Sequence, residues 1–426
     1  MLVSKFINTI NINMSPTKIE QFDCVVVGGG MVGAASALSL AELGLRVAIV
    51  EKQQPETFSE EQNIDLRVSA ISLASERLLT QFGAWHQIQQ WRSCPYKRLA
   101  VWENESAYTE FNAVNINQSH LGHIVENRLI QLALWQQIST HKNITLYCPE
   151  SLVALSQCEE QQHGKVTLTL ERSTLTANLV VGADGAQSKV RQMSNIGITG
   201  WDYQQSAMLI NVKTKYSQQD ITWQKYLPTG PVAFLPLPDK FNAATQNDSM
   251  LGRASLVWYH KRDEIKRLNA LSNTQLTQEV IKNFPKRLGE VEVVAKGGFP
   301  LARRHANTYQ NKQVLLLGDA AHTINPMAGQ GVNLGFKDVK ALHEVIASAI
   351  EHNESWYDVD VLSRYEELRR KDNLLMMSTM DALYIGFRHP SPIVKAARNL
   401  ALLAINKVPF VKTTVKNKAL EYACGI

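Results

Sequence analysis

The sequence predicts an α/β chain in which a parallel-sheet domain of strand–turn–helix units is interleaved with an antiparallel sheet and followed by a helical C-terminus. Three observations predict it. The run "DCVVVGGG" enters a small-residue helical segment, "MVGAASALSLAELG", and then a second apolar run, "LRVAIVEK". A second strand–loop–helix unit, "KQVLLLGDAAHTINPMAGQGVNLGFKDVKALHEVI", comes much later. Between them lie "RLAVWE", "YTEFNAV", "MLINVKTK", "TWQKYLP", "VAFLPLP" and "ASLVWYH", rich in β-branched and aromatic residues and separated by Pro and Gly, which is the pattern of an antiparallel sheet.

Composition narrows the class. The 426 residues suffice for two domains or one interrupted domain. With 45% hydrophobic and 19% charged residues the chain is globular. A net charge of +5, with no arginine-rich helix, argues against a nucleic-acid partner. Cys24, Cys94, Cys148, Cys158 and Cys424 form no C-x-x-C, so no metal site is expected and a reducing compartment suits them. No apolar run is long enough to span a bilayer, and "MLVSKFINTININMSPTKIE" lacks the apolar core of a signal peptide.

The first unit is β-α-β with Gly28, Gly30 and Gly33 at the strand-to-helix turn, and Gly44 after the helix. Such glycines allow a tight turn, approach of bare backbone to a pyrophosphate, and close helix–strand packing. The helix N-terminus offers free N–H groups to phosphate. Glu51 closes the next strand, where a carboxylate accepts ribose hydroxyls; this fits NAD or FAD and disfavours a 2′-phosphate.

The second unit is a buried strand (314–317), a loop, and a helix from about Gly331. Its glycines, Gly329, Gly331 and Gly335, do not repeat the first spacing. Asp319 directly follows the strand, within reach of a polyol; Pro326 breaks the chain; Gly329 and Gly331 let backbone approach a flat ring. One long ligand answers both loops, with adenosine pyrophosphate at one end and a ribityl-linked redox ring at the other, which is FAD. The helix N-terminus suits the negative charge of a reduced ring.

"GDAAHTINPMAGQGVNLG" resembles the GD motif of the FAD-dependent aromatic hydroxylases, and "LVVGADGAQSKVR" resembles their DG motif. "DLRVSAISLASERLLTQFGAW", "HIVENRLIQLALW", "GPVAFLPLPD", "SLVWY" and "FPLARRHA" extend the likeness to the ubiquinone-biosynthesis hydroxylases over nearly the whole chain from Phe22. "CPYKRLAVWENE", "VRQMSNIGITGWDYQQSAMLI" and the ending "ALEYACGI" are most similar to the branch acting last on the ring. The resemblance implies FAD contacts from Asp184 and Gly185, from Gly318 and Asn333, and from Arg67 in "DLR" and Arg128 in "ENR", the latter on pyrophosphate.

That resemblance implies an FAD-dependent monooxygenase, with NADPH or NADH as a transient donor and O2 as co-substrate, hydroxylating a polyprenylated benzoquinol, the demethoxyubiquinol of the last ring hydroxylation. The alternatives are attack on another ring carbon or a non-catalytic FAD-binding scaffold; the W-x-W of a flavin halogenase is absent. His322 is read as a loop-ordering residue and His305 as structural, and no catalytic acid or base is assigned. The FAD-binding domain is expected over 20–93, 124–193 and 298–355, the substrate sheet over 94–123 and 194–297, and helices over 356–426, with hairpin loops near 156–165 and 239–253. The basic amphipathic stretch 391–426 has Ile393, Ala397 and Leu400 at helical spacing, which suits an anionic membrane surface. The prenyl tail of the substrate requires the enzyme to visit lipid. A bacterial cytoplasmic protein bound peripherally to the inner membrane, assembled with other proteins of the pathway, is the expected setting.

Overall fold

Strand Ile19–Val27 is buried along its second half, and helix Met31–Glu42 follows it after only three glycines. A strand covered on both faces must be apolar throughout, which "CVVV" is. The computed structural model describes residues 19–157, 165–239, 250–324, 329, 331–389, 391–407 and 416–425. Pro326 and most of the two expected hairpin loops lie outside the described residues.

The first sheet has a parallel centre. Strand Ile19–Val27 is flanked by Val47–Val50, and then Ile144–Tyr147, on one side. Thr174–Gly182, and then Val314–Leu316, lie on the other. Val166–Leu170 and Leu152–Gln157 extend it as an antiparallel flap. The connections leave the central pair in opposite directions, and the crevice beyond the carboxyl ends at such a switch point is where doubly wound sheets bind ligands.

The second sheet is mainly antiparallel, in the order His322–Thr323, Val291–Ala306, Ile198–Thr214, Gly252–Lys261, Val232–Leu237, Ile221–Lys225, Arg98–Trp102, Thr109–Asn112. Its side chains alternate faces. Met208, Ile210 and Val212 point with Trp258 into a core closed by helices Arg262–Ala270 and Asn273–Asn283. Ala207 and Tyr259 point the other way, toward Met376, Met377 and Met380 of helix Val359–Arg388. A third, small sheet orders Val68–Ser72, Gly122–Glu126 and Cys94–Tyr96.

The two large sheets meet in one short segment. Val314–Leu316 belongs to the first sheet, while His322 and Thr323 already pair with His305 and Arg304 in the second. The second glycine-rich loop is thereby seated at the junction of the sheets. No helix among the described residues is long and apolar enough to cross a membrane.

Candidate functional site

Three loops reach the carboxyl ends of the two central strands. Gly28 has φ +105°, and a Cβ there would stand 2.5 Å from Ala183 O; a Cβ on Gly33 would stand 1.9 Å from Gly28 O. Both positions therefore demand glycine. A Cβ on Gly30 would meet nothing within 4 Å, and no side chain caps the helix that Gly30 begins. The turn is held from behind. Glu51 Oε2 accepts from Gly29 N at 2.6 Å, and Gln131 and Trp135 donate to Gly29 O at 2.8 and 2.7 Å. Glu51 thus orders the loop directly.

The second loop leaves strand Thr174–Gly182. Asp184 Oδ2 accepts from Lys189 N at 2.7 Å and Val190 N at 3.2 Å, whereas Oδ1 is buried with no hydrogen-bond partner among the described residues. A buried carboxylate oxygen left bare calls for a donor. Gly185, at φ +81°, faces open space. Arg191 is buried and donates to Ala320 O at 2.8 Å and Ala186 O at 3.0 Å, clipping this loop to the third. Each bond from a charged donor contributes about 1.5–3 kcal/mol. Arg191→Met is therefore expected to weaken flavin retention about tenfold or more; fluorescence titration of the apoprotein with FAD measures it.

The third loop contains Gly318, at φ +57° and in contact range of Val32, then Asp319. The Asp319 side chain is open to solvent yet surrounded by protein on most sides, as a group on a cleft floor is. Desolvation pushes its carboxyl above the usual range, opposed by His322 and Arg67, which places Arg67 nearby. Gly329 has φ +63°, and Gly331 faces open space at the start of helix Gly331–Glu351. A Cβ on Gly335 would come 2.5 Å from Val32, so this helix packs tightly on helix Met31–Glu42. Asn333 is fully engaged. Its amide donates to Ala70 O (2.8 Å) and Gly329 O (3.4 Å), and its carbonyl accepts from Ser72 N and Ser75 Oγ. What it offers a ligand is the placement of Gly329–Gly331.

Beneath this loop lies a buried polar network. Asp338, with no exposed surface, accepts from Gly318 N (3.0 Å), Arg369 Nε (2.7 Å) and Asn373 Nδ2 (3.3 Å), and its Oδ2 is 2.5 Å from His322 Nε2. Its carboxyl is held at about 2: the His322 and Arg369 charges and bonds outweigh the opposing desolvation, which is the largest single contribution. Asn373 also donates to Tyr309 OH (3.1 Å), which meets His305 Nε2 at 2.8 Å; burial, above all, lowers His305 to about 4. Both histidines thus serve the framework of the loop. Asp338, Arg369 and Asn373 escaped sequence reasoning, although Asp338 is a charge among the apolar positions Leu334, Val339 and Leu342 of one helix.

Arg67 and Arg128 flank the cleft on the third sheet, where Val68 pairs with Glu126 and Asn127 N donates to Arg67 O. The exposed Arg67 side chain has no ion pair among the described residues. Arg128 forks onto Asp65 at 2.8 and 2.9 Å and donates to Glu56 O and Thr57 O, both at 3.0 Å. A pyrophosphate contact from Arg128 requires exchange of one of these bonds. A depression of ≈ 500 Å³, lined by Phe58, Trp91, Trp135 and Cys148, continues past the end of strand Val47–Val50. A larger one of ≈ 670 Å³, around Tyr216 and Phe284, lies at the Thr214 end of strand Ile198–Thr214, away from the three loops.

The residues present fit a dinucleotide flavin. Bare backbone at Gly30, Gly185 and Gly331, an uncapped helix start and the unpartnered Asp184 oxygen lie on neighbouring loops, since a Cβ on Gly28 would touch Ala183 and one on Gly318 or Gly335 would meet Val32. Comparison with known proteins agrees. A family model described as "FAD binding domain" matches residues 21–376. The chain is 44% identical over 412 residues to 3-demethoxyubiquinol 3-hydroxylase of Escherichia coli (strain K12), covering 96% of this chain and 99% of the relative. It is 34% identical over 400 residues to ubiquinone hydroxylase UbiL of Rhodospirillum rubrum, covering 93% and 89%. The crystal structure of p-nitrophenol 4-monooxygenase PnpA from Pseudomonas putida DLL-E4 superposes with a TM-score of 0.74 at 20% identity, covering 94% and 97%; that likeness concerns the fold.

Proposed function

We propose that this chain, which belongs to the FAD-binding-domain family and within it to the ubiquinone-pathway hydroxylases, hydroxylates the ring of a polyprenylated demethoxyubiquinol. The observation that carries the substrate reading is the 44% identity to a 3-demethoxyubiquinol 3-hydroxylase along almost the entire length of both chains. FAD, when bound, takes hydride from NADPH or NADH and in reduced form activates O2 for transfer of one oxygen atom to the electron-rich ring.

The residues of the chain bind, orient and keep the site dry. Gly28–Gly33 and the helix they begin are assigned to the pyrophosphate, with Glu51 ordering the turn at the adenosine end and Arg67 and Arg128 at the cleft edge. Asp184 Oδ1 and Asp319 are assigned to donors on the ribityl side, and Gly329, Gly331 and the Asn333-held turn to the ring; Pro326, outside the described residues, keeps the same assignment. The ring of the substrate is assigned to the space between this loop and the second sheet. Ile324, Tyr226, Tyr259, Met376, Met377 and Met380 pack together there as one buried, largely apolar cluster, which would back such a space as an apolar wall. Met adapts its shape to what it packs against, and an apolar wall excludes water from the reacting atoms. The nicotinamide donor visits from solution, because the described residues contain one doubly wound sheet.

The test is turnover of the FAD-loaded protein with NADPH, ¹⁸O2 and a short-chain demethoxyubiquinol. One labelled oxygen in the quinol product is expected. NADPH oxidation that yields only hydrogen peroxide would reject this substrate and redirect the search to another ring position.

Membrane contact, at the cytoplasmic face of a bacterial inner membrane and alongside other enzymes of the pathway, is part of the same proposal. Helix Pro392–Lys407 is anchored to the second sheet by Arg398, forked on Glu103 at 2.7 and 2.6 Å. The opposite face exposes Ile393 (80%) and Leu400 (64%), with Lys395 and Arg388 exposed nearby in sequence. Lys395 lies on the anchored side, 3.9 Å from Glu103, so the membrane contact rests on the exposed apolar face of a helix that is basic overall, the composition that suits an anionic lipid surface. The double variant Ile393→Glu, Leu400→Glu is expected to lose co-sedimentation with phosphatidylglycerol vesicles while keeping its rate on a short-chain substrate. Undiminished sedimentation would remove this helix from the membrane-facing surface.

A further inference from the structure

Away from the glycine loops, one cluster of metal-ligating side chains has no part in the proposed reaction. Glu76 sits in the first turn of helix Leu73–Gln81, and His120 and His123 straddle the start of strand Gly122–Glu126. Both rings address one carboxylate oxygen: Glu76 Oε2 is 2.8 Å from His120 Nε2 and 3.2 Å from His123 Nδ1. The three ligand atoms lie within 4.8 Å of one another.

We propose that Glu76, His120 and His123 form a site for a divalent cation of the zinc class. Two imidazoles and a carboxylate are the donor set that borderline divalent ions prefer. At metal–ligand distances of about 2.0–2.2 Å, a tetrahedral ion keeps its ligands roughly 3.3 Å apart, which the present spacing already approaches. A second observation is independent of the cluster's composition. His123 is buried, and its Nδ1 makes no well-aligned hydrogen bond among the described residues: its polar neighbour is Glu76 Oε2 at 3.2 Å, off the line a hydrogen bond needs. Burying such an atom costs free energy unless something satisfies it, and a cation lying between the three groups would.

The surroundings are those of a held ligand set. His120 Nδ1 lies 2.8 Å from Ser119 Oγ, which orients the ring so that Nε2 faces Glu76. His123 packs edge-on against Trp85 at 5.0 Å and against His120 at 4.5 Å. Glu76 and His120 keep partial exposure, which gives an ion an entry path and leaves a fourth position for water. The site would pin helix Leu73–Gln81 to strand Gly122–Glu126. That helix is tied at Ser72 and Ser75 to Asn333 of the third loop, and the strand leads directly into the helix that carries Arg128. The ion is thereby a structural clamp behind the flavin crevice, independent of which ring carbon is attacked.

The FAD-loaded protein, stripped with a chelator and dialysed into phosphate-free buffer, is titrated with zinc chloride by isothermal calorimetry, and its melting temperature is recorded with and without zinc. One equivalent is expected to bind the wild type and raise its melting temperature. His120→Asn and Glu76→Gln are expected to weaken that binding by more than the roughly 10- to 100-fold that an outer-shell change alone produces. His120 is partly exposed, so its variant keeps the fold testable should Glu76→Gln not fold. Absence of a stoichiometric phase in the wild type overturns the proposal, as does an unchanged phase in His120→Asn.

Discussion

Asp338→Ala is expected to destabilise the protein by about 3 kcal/mol and to release flavin at a lower temperature than the wild type. Removing one partner of a buried ion pair costs about 3–5 kcal/mol, because the remaining charge stays buried. Arg369 keeps Asp372 at 2.7 Å, which places the loss at the lower end. The substitution also strips Gly318 N, His322 and Asn373 of their shared acceptor, so the third loop loses its floor. Asp338→Asn keeps the shape and one acceptor oxygen and should fall between wild type and alanine. The pH dependence has a definite sign. The Asp338 carboxyl is depressed from an ordinary 3.8 to about 2, so its contribution is fully present above the unfolded value and is lost as pH falls through the folded one. By linkage that contribution is about 2 kcal/mol. Acid titration of wild type and Asp338→Asn, followed by flavin fluorescence and circular dichroism, should show curves that approach each other below the ordinary 3.8 and converge only below about pH 2. Identical stability of Asp338→Ala and wild type at neutral pH would mean that the network does not support the loop.

What could be read from sequence was what the backbone itself must do. Gly28 and Gly33 cannot carry a Cβ where they stand, and that demand is local, so it is written as a spacing. The helix beginning at Gly331 was legible for the same reason, as was the strand ending before Gly318. Side-chain partnerships were not legible. Asp338 receives Gly318 and His322 from one direction in the chain and Arg369 and Asn373 from the other, and no spacing rule joins them. Arg191, inside a recognisable motif, acts through carbonyls of a loop far away in sequence. Glu76, His120 and His123 lack any zinc-finger spacing, since what brings them together is the pairing of strand Val68–Ser72, which runs into the helix of Glu76, with the distant strand Gly122–Glu126. Sequence reasoning assigns Arg128 to a phosphate; what the structure shows is its guanidinium forked on Asp65, a partnership no spacing announces.

Asp319→Ala is expected to do the reverse of Asp338→Ala: little change in stability and a large loss of flavin. The Asp319 side chain makes no hydrogen bond to protein among the described residues, so its removal leaves no protein donor unpaired. Its carboxylate stands in the cleft, where desolvation already disfavours its charge and Arg67 and His322 offset this in part. A group held there at an energetic cost, without a structural partner, is retained for what it binds. Hydrogen bonds from a polyol to a carboxylate contribute about 1.5–3 kcal/mol, so the dissociation constant for FAD should rise by roughly tenfold to a hundredfold. Equilibrium titration of the apoprotein with FAD measures this, with thermal melting of the apo form as the control for folding. Asp319→Asn, which accepts a hydrogen bond but carries no charge, should recover part of the affinity. An alanine variant that binds FAD as the wild type does would remove the third loop from the cofactor crevice, and with it the placement of the ring against Gly329 and Gly331. A variant that unfolds instead would show that Asp319 supports the junction of the two sheets, the role assigned above to Asp338. The two aspartates therefore test separate halves of one loop: Asp338 the support beneath it, and Asp319 the ligand above it.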